Sequence, residues 1–281
     1  MLLERSPNQP ATFERSHALA QSPVLMKDGS SLPAAMLAAR LYNDEIGRAM
    51  YEQPFRYAVR YGYDREDMRT DLGHDLCPIG HQMELPYHTA KIIEVERAEG
   101  TIYGSLPDEE VGVLMFVDMI HDAGESTHAT IAAAGLKPIG DIPAGLKTEE
   151  NRDHEAAIRR FLYDRFFSDV DEQIIEQVEA IISHKDDTIL HELFEAGHLA
   201  QTLETSNYAH FALARENWHR NGEVIDPITE EGSRLSGLLG VARVVYAHVK
   251  DDIGKYSHFG YIRQLGEQAD LLRQPSHQLF N

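Results

Sequence analysis

The stretch PDEEVGVLMFVDMIHDAGES, Pro107 to Ser126, decides how the chain is read. Proline in the first turn, followed by Asp108, Glu109 and Glu110 at the positive end of the helix dipole, predicts a cleanly started helix. Val111 to Ile120 are almost wholly apolar, so this helix is expected to be buried nearly all round. His121 and Asp122 stand at its far end. An imidazole and a carboxylate side by side in a dry interior cost roughly several kcal/mol unless something binds them, and a divalent cation held by both removes that cost. Glu125 follows one helical turn after His121 and can reach the same small volume.

Composition bounds what else can arrive there. The 281 residues suffice for one large domain with extensions, and 42% hydrophobic with 26% charged residues is ordinary for a soluble globular protein. There is no apolar run of the length a membrane span needs, and MLLERSPNQPATFERS breaks off its apolar start at Glu4 and Arg5. The expectation is a cytoplasmic protein, neither secreted by a signal peptide nor membrane-spanning. Cys77 is the single cysteine, which rules out an internal disulfide and a cysteine-cluster metal site and suits a reducing compartment. Any metal must therefore use histidine and carboxylate. A net charge of −20 argues against a duplex nucleic-acid surface, while leaving room for an anionic small molecule at a bound cation.

Along the chain, residues 1–30 read as a polar arm with Pro7, Pro10, Pro23 and Gly29, packing on the domain or on a neighbour. Ser31-Leu32-Pro33 is expected to open a helix through about Glu52, with Leu37, Leu41 and Ile46 in the core. Residues 57–83 mix Arg, Tyr and Asp; the second His-Asp pair, His74-Asp75, lies in a glycine-flanked loop and reads as a turn. Leu85, His88, Ile92 and Val95 recur at helical spacing to about Glu99, which makes His88 the polar member of an apolar stripe. After the central helix come a short alanine-rich helix to Gly135 and a turn Gly140-Asp141-Ile142-Pro143. Thr148-Glu149-Glu150 caps a helix to about Phe167, Ser168-Asp169 caps another to about His184, and a long helix runs from Thr188 towards Arg220. A last helix is expected around Glu230 to Val249, with a polar tail after Gly260. With no repeat, no phosphate-binding glycine loop and no sustained strand pattern, the fold class is all-α.

A histidine on one helix, a His-Asp pair ending a buried helix about thirty residues later and a polar position on a much later helix resemble the HD-domain metal-dependent phosphohydrolases. The strings HDAGES from His121, GDIP from Gly140 and NRDHEAAI narrow the resemblance to the 5′-deoxynucleotidase branch. It spans Leu85 to Tyr208. It implies an HD-domain helical core over 84–220, with an N-terminal helical extension over 31–83 and a C-terminal one over 221–281. The resemblance further implies His88, His121 and Asp122 as ligands of a divalent cation (Mn, Co, Mg, Zn or Fe) and Glu125 and Asp141 as catalytic residues. Its remaining ligand is an aspartate in a string Asp-x-Leu-Glu, where this chain has Gln201-Thr202-Leu203-Glu204. Gln201 can offer a carbonyl oxygen without charge, Glu204 one turn on can substitute, or catalysis has been lost.

The implied activity is release of phosphate from (deoxy)nucleoside 5′-monophosphates by a metal-activated water, in a cytosolic enzyme that the resemblance makes a homodimer. Alternatives are HD-type hydrolysis of nucleoside triphosphates or guanosine polyphosphates, which Ser126 weakens because it stands where that family carries an acid, and a nucleotide-binding protein without turnover. Two other histidine groups carry less. His191, Glu195 and His198 share a helical face with metal-compatible spacing, but flanking Glu192 and Lys185 make it read as solvated; His154 and His184 sit in polar helices. Arg56, Arg60, Arg152 and Arg159 are candidate phosphate-binding cations that no motif distinguishes.

Overall fold

A computed structural model describes residues 18–44, 78–121, 149–183, 188–219 and 249–272. The alanine-rich helix, the Gly140 turn, His74-Asp75, Ile46 and nearly all of the helix expected at 230–249 lie outside these residues. The described chain is all-α apart from one two-stranded hairpin. Its elements are β1 (Pro23–Leu25), β2 (Ser31–Pro33), α1 (Ala34–Tyr42), α2 (Pro78–Glu99), a 3-10 turn (Ile102–Ser105), α3 (Asp108–Ile120), α4 (Glu149–Phe166), α5 (Glu172–Ile182), α6 (Ile189–His219) and α7 (Gly260–Leu272).

Helix α3 is the buried axis that its composition predicts. Every residue from Val111 to Ile120 is inaccessible, the three acids fall in its first turn, and Pro107 stands at the N-cap. Helices α1, α2, α5 and α6 and strand β1 all pack on it. Strand β1 comes so close that a Cβ at Gly112 would overlap the Pro23 carbonyl oxygen. A glycine in mid-helix costs about 0.5–1 kcal/mol relative to alanine, and here it buys the hairpin its place against the helix.

The first helix is a correction. Ser31-Leu32-Pro33 forms β2, antiparallel to β1 with Val24 opposite Leu32, and α1 begins only at Ala34 with Pro33 as its N-cap. Gly29, at φ +81, makes the turn, and the Asp28 carboxylate accepts from the Ser30 amide. Nothing in local periodicity signals this, because the hairpin is held by remote partners: Met26 bridges Val170, and Lys27 N–H donates to the Asp169 carbonyl. Leu37 and Leu41 are fully buried, as expected.

The cap of α5 is a second correction. Asp171, not Ser168-Asp169, accepts from the Gln173 amide at 2.9 Å. Asp169 is instead held by Arg40 through both carboxylate oxygens, at 2.6 and 3.1 Å, which ties α1 to the α4–α5 turn. A third correction is the polar tail: residues 260–272 form α7, whose Ile262, Leu265 and Ala269 recur at spacings of three and four and are buried against α6 and α2. One hydrophobic core therefore runs from Ala20 to Ala269.

The start of α7 is fixed by a buried acid on α2. Glu96, 1% exposed, accepts from the Gly260 amide at 3.0 Å and from the Thr101 hydroxyl at 2.8 Å. Glu96→Ala removes the acceptor from two donors. The half-buried Thr101 hydroxyl keeps the Glu96 carbonyl within reach at 3.4 Å, so the Gly260 amide is the donor left unsatisfied. That costs about 1–3 kcal/mol in urea unfolding, and Gly112→Ala is expected to destabilise as well by pushing the hairpin off α3. Midpoints equal to wild type would contradict both.

Candidate functional site

Helix α6 packs against α2, α3 and α7 and carries the polar side chains that face them. His198, Gln201 and Glu204 recur at spacings of three and so line one side of the helix. Gly197 lets α6 and α2 approach: a Cβ there would stand 2.5 Å from Thr89 Oγ1 and 3.1 Å from Leu85 Cδ1. His88 on α2, His121 at the C-cap of α3 and Gln201 on α6 are all buried. Asp122, Glu125 and Asp141 lie outside the described residues.

His121 has a fixed protonation pattern. Its Nδ1 is 2.9 Å from the Asp118 carbonyl oxygen one turn back, and a carbonyl can only accept, so Nδ1 carries a hydrogen and the lone pair of the neutral ring is on Nε2. A histidine that donates one ring N–H to a backbone carbonyl and offers the other nitrogen is the arrangement that metal-binding imidazoles use. The His121 ring lies 4.5 Å from His198, edge to face at 81°, and Phe194 packs against both rings.

His88 is held differently. Its Nε2 is 3.1 Å from Glu204 Oε2, and Tyr261 stacks on the ring with its hydroxyl 3.5 Å from Nδ1. Burial, with Glu204 and Tyr87 adding repulsion, pushes the Tyr261 phenol far above its ordinary value, so it keeps its proton and can donate to Nδ1. That leaves Nε2–H to donate to Glu204. A cation at this nitrogen would have to displace that proton.

The acid that sequence reasoning passed over is Asp118, the only charged residue between Val111 and Ile120. It is fully buried, and among the described residues neither carboxylate oxygen has a hydrogen-bond partner. Burial pushes its pKa up to about 8. The nearby Thr89 hydroxyl pulls the value back only slightly, because its geometry falls short of a hydrogen bond and Thr89 Oγ1 is itself unpartnered. The signal was present in the sequence as a lone acid in an apolar run.

Other candidates sort themselves by partner. Arg159 is buried and grips Glu179 at 2.6 and 2.8 Å, which removes it from the phosphate-binding cations. Burial would raise Glu179, but Arg159 outweighs it and holds the carboxyl below its ordinary value. Arg56, Arg60 and the side chain of Arg152 lie outside the described residues. His191 and Glu195 pair at 3.8 Å as half-buried groups, while His198 turns its ring to His121. A cleft of about 790 Å³ opens elsewhere, lined by Tyr163, Phe167, Ile175 and Glu179 on α4, α5 and the turn between them; none of His88, His121 or Gln201 lines it.

Among the described residues, no three His, Cys, Asp or Glu side chains gather closely enough to hold a metal ion by themselves. The donor chemistry nevertheless fits one: two buried imidazoles, one with its Nε2 lone pair set by the backbone, and the buried amide of Gln201 on the helix beside them. In comparisons with family models, curated proteins and solved structures, none matches this chain.

Asp118 sets a pH dependence. Its folded-state pKa of about 8 stands well above the ordinary carboxyl value of about 4, so its contribution to stability is complete below about pH 4 and is lost as pH rises towards 8. Asp118→Asn cannot ionise. Its stability relative to wild type is expected to improve between pH 5 and pH 9, as read from urea midpoints; a constant difference across that range would show that Asp118 is not held protonated.

Proposed function

We propose that the chain is a metal-dependent phosphohydrolase of the HD-domain type that releases phosphate from (deoxy)nucleoside 5′-monophosphates. The observation that carries the reading is the Nδ1–H of His121 donated to the Asp118 carbonyl at 2.9 Å, at the end of a helix that is buried from Val111 to Ile120. A histidine fixed in this tautomer beside the Asp122 of an HDAGES string is what metal-assisted ester hydrolysis requires of its first ligands.

His88, His121, Asp122 and Gln201 would hold the cation. When bound, the ion supplies positive charge that polarises a phosphoryl oxygen and acidifies water. The protein's own groups do the rest. The Asp118 carbonyl keeps the His121 ring turned the same way, and Tyr261 does so for His88. Glu204, half exposed, accepts the proton of His88 Nε2 and is placed to carry it to solvent when that nitrogen is needed. Glu125 is assigned to proton transfer to or from the reacting oxygens, and Asp141 to orienting the attacking water.

Glu204 beside His88 also favours a variant of this site. A carboxylate at 3.1 Å from the ring supplies the charge that Gln201 lacks, so Glu204 is a candidate for the missing ligand. Two substitutions separate the assignments. If Gln201 is the weakened ligand, Gln201→Asp binds manganese or cobalt more tightly and hydrolyses faster, while Glu204→Gln changes little. If Glu204 has taken over, Glu204→Gln loses the metal. No change in either titration would remove both Gln201 and Glu204 from the site.

The function itself is tested by phosphate release from a panel of nucleoside mono- and triphosphates with added manganese, cobalt or magnesium. Release from 5′-monophosphates, lost in His121→Ala together with metal binding, is expected. Glu125→Ala is expected to keep the metal while kcat falls about 10²-fold or more. Release from triphosphates alone would assign a different hydrolysis, and nucleotide binding without release would make the chain a binding protein.

A further inference from the structure

The ring of His198 raises a question that the ligand set above does not answer. It sits on α6 one turn before Gln201, 4.5 Å from the His121 ring and nearly perpendicular to it, at 81°. Phe194, one turn earlier on the same helix, holds it edge to face at 4.5 Å. It is only partly buried.

The separation has a chemical meaning. With a metal–nitrogen bond of about 2.0–2.1 Å and a ring centre about 1.1 Å behind the nitrogen, two imidazoles sharing one cation at about 90–110° have centres about 4.5–5.2 Å apart. The observed 4.5 Å falls at the lower bound of that interval. His121 Nε2 bears the lone pair, because Nδ1–H is donated to the Asp118 carbonyl. An aromatic side chain would serve equally well if packing on Phe194 were the whole role of position 198, whereas an imidazole adds a nitrogen at the place where helix α6 otherwise offers only the neutral Gln201.

We propose that His198 is a further ligand of the cation held by His121, supplying a neutral nitrogen donor on the helix where Gln201 stands in place of a carboxylate. This rests on the metal-dependent reading above and deepens it, because it fixes the class of metal. A site that exchanges a carboxylate for an imidazole loses affinity for hard, oxygen-seeking magnesium and gains it for zinc, cobalt and nickel. The chain is therefore a zinc- or cobalt-class protein and not a magnesium one.

The experiment is a calorimetric titration of the full chain with zinc, cobalt and magnesium, with the visible absorption of the cobalt form as a second readout. His198→Phe keeps the ring packing on Phe194 and removes the nitrogen. It is expected to weaken zinc and cobalt binding by about 10- to 100-fold or more and to alter the cobalt spectrum, while the weak magnesium binding stays as it was. Unchanged zinc affinity and spectrum in His198→Phe, with His121→Ala still abolishing both, would overturn the role of His198 and leave the function standing. Magnesium binding without zinc or cobalt binding would overturn the role of His198 alone; no binding of any of the three metals by the wild type, or binding that survives His121→Ala, would overturn both. Should His198→Phe not fold, acylation of wild-type histidines by diethyl pyrocarbonate, mapped by mass spectrometry, decides. Zinc is expected to protect His198 and to leave His191 as reactive as before; equal modification of His198 with and without zinc would refute the proposal.

Discussion

Burial of α3 on every side is the constraint from which the rest follows. Ten consecutive inaccessible residues require neighbours all round, and the hairpin, α1, α2, α5 and α6 supply them. The last carbonyls of a helix have no partner within it and are met by side chains or other groups. His121 does this for the Asp118 carbonyl and is thereby held in one tautomer. The same act that completes the helix end prepares an imidazole lone pair in the interior. Stability and candidate chemistry meet in one hydrogen bond.

The enclosure also explains where polar groups are tolerated. Glu96 is buried because it answers two donors, and Arg159 because Glu179 answers it. Asp118 is buried with no such answer among the described residues and responds by holding its proton. A neutral acid three residues before His121 adds no negative charge to the helix end, so whatever charge a cation meets there comes from other groups. Gly197 lets α6 come close to Thr89 and Leu85 on α2.

Much of this was legible in the sequence where the physics is local. The apolar run of α3, the His88 stripe on α2, and the extents of α4 and α6 follow from helical periodicity and composition. What periodicity could not show depends on remote partners. Ser31 to Pro33 pair with 23–25 only because the hairpin tip is tied to the α4–α5 turn, and Asp169 serves Arg40 and not a helix cap. Helix α7 was hidden because its apolar positions are sparse, and its first turn depends on Glu96, 164 residues away. At the site, the burial of His88, His121 and Gln201 agrees with their reading as inward-facing, while the neighbours that define them, Tyr261, His198 and Glu204, come from elements whose packing no spacing reveals.

The proposed function requires that His121, whose ring is oriented by the Asp118 carbonyl, takes a cation at Nε2. Long-range proton–nitrogen correlation of the histidine rings, before and after zinc is added, tests it most directly. His121 is expected to show the Nδ1–H tautomer without metal, and zinc is expected to shift its Nε2 resonance while the Nδ1 proton stays. An Nε2–H tautomer at His121, or an Nε2 resonance that zinc does not move, would contradict it.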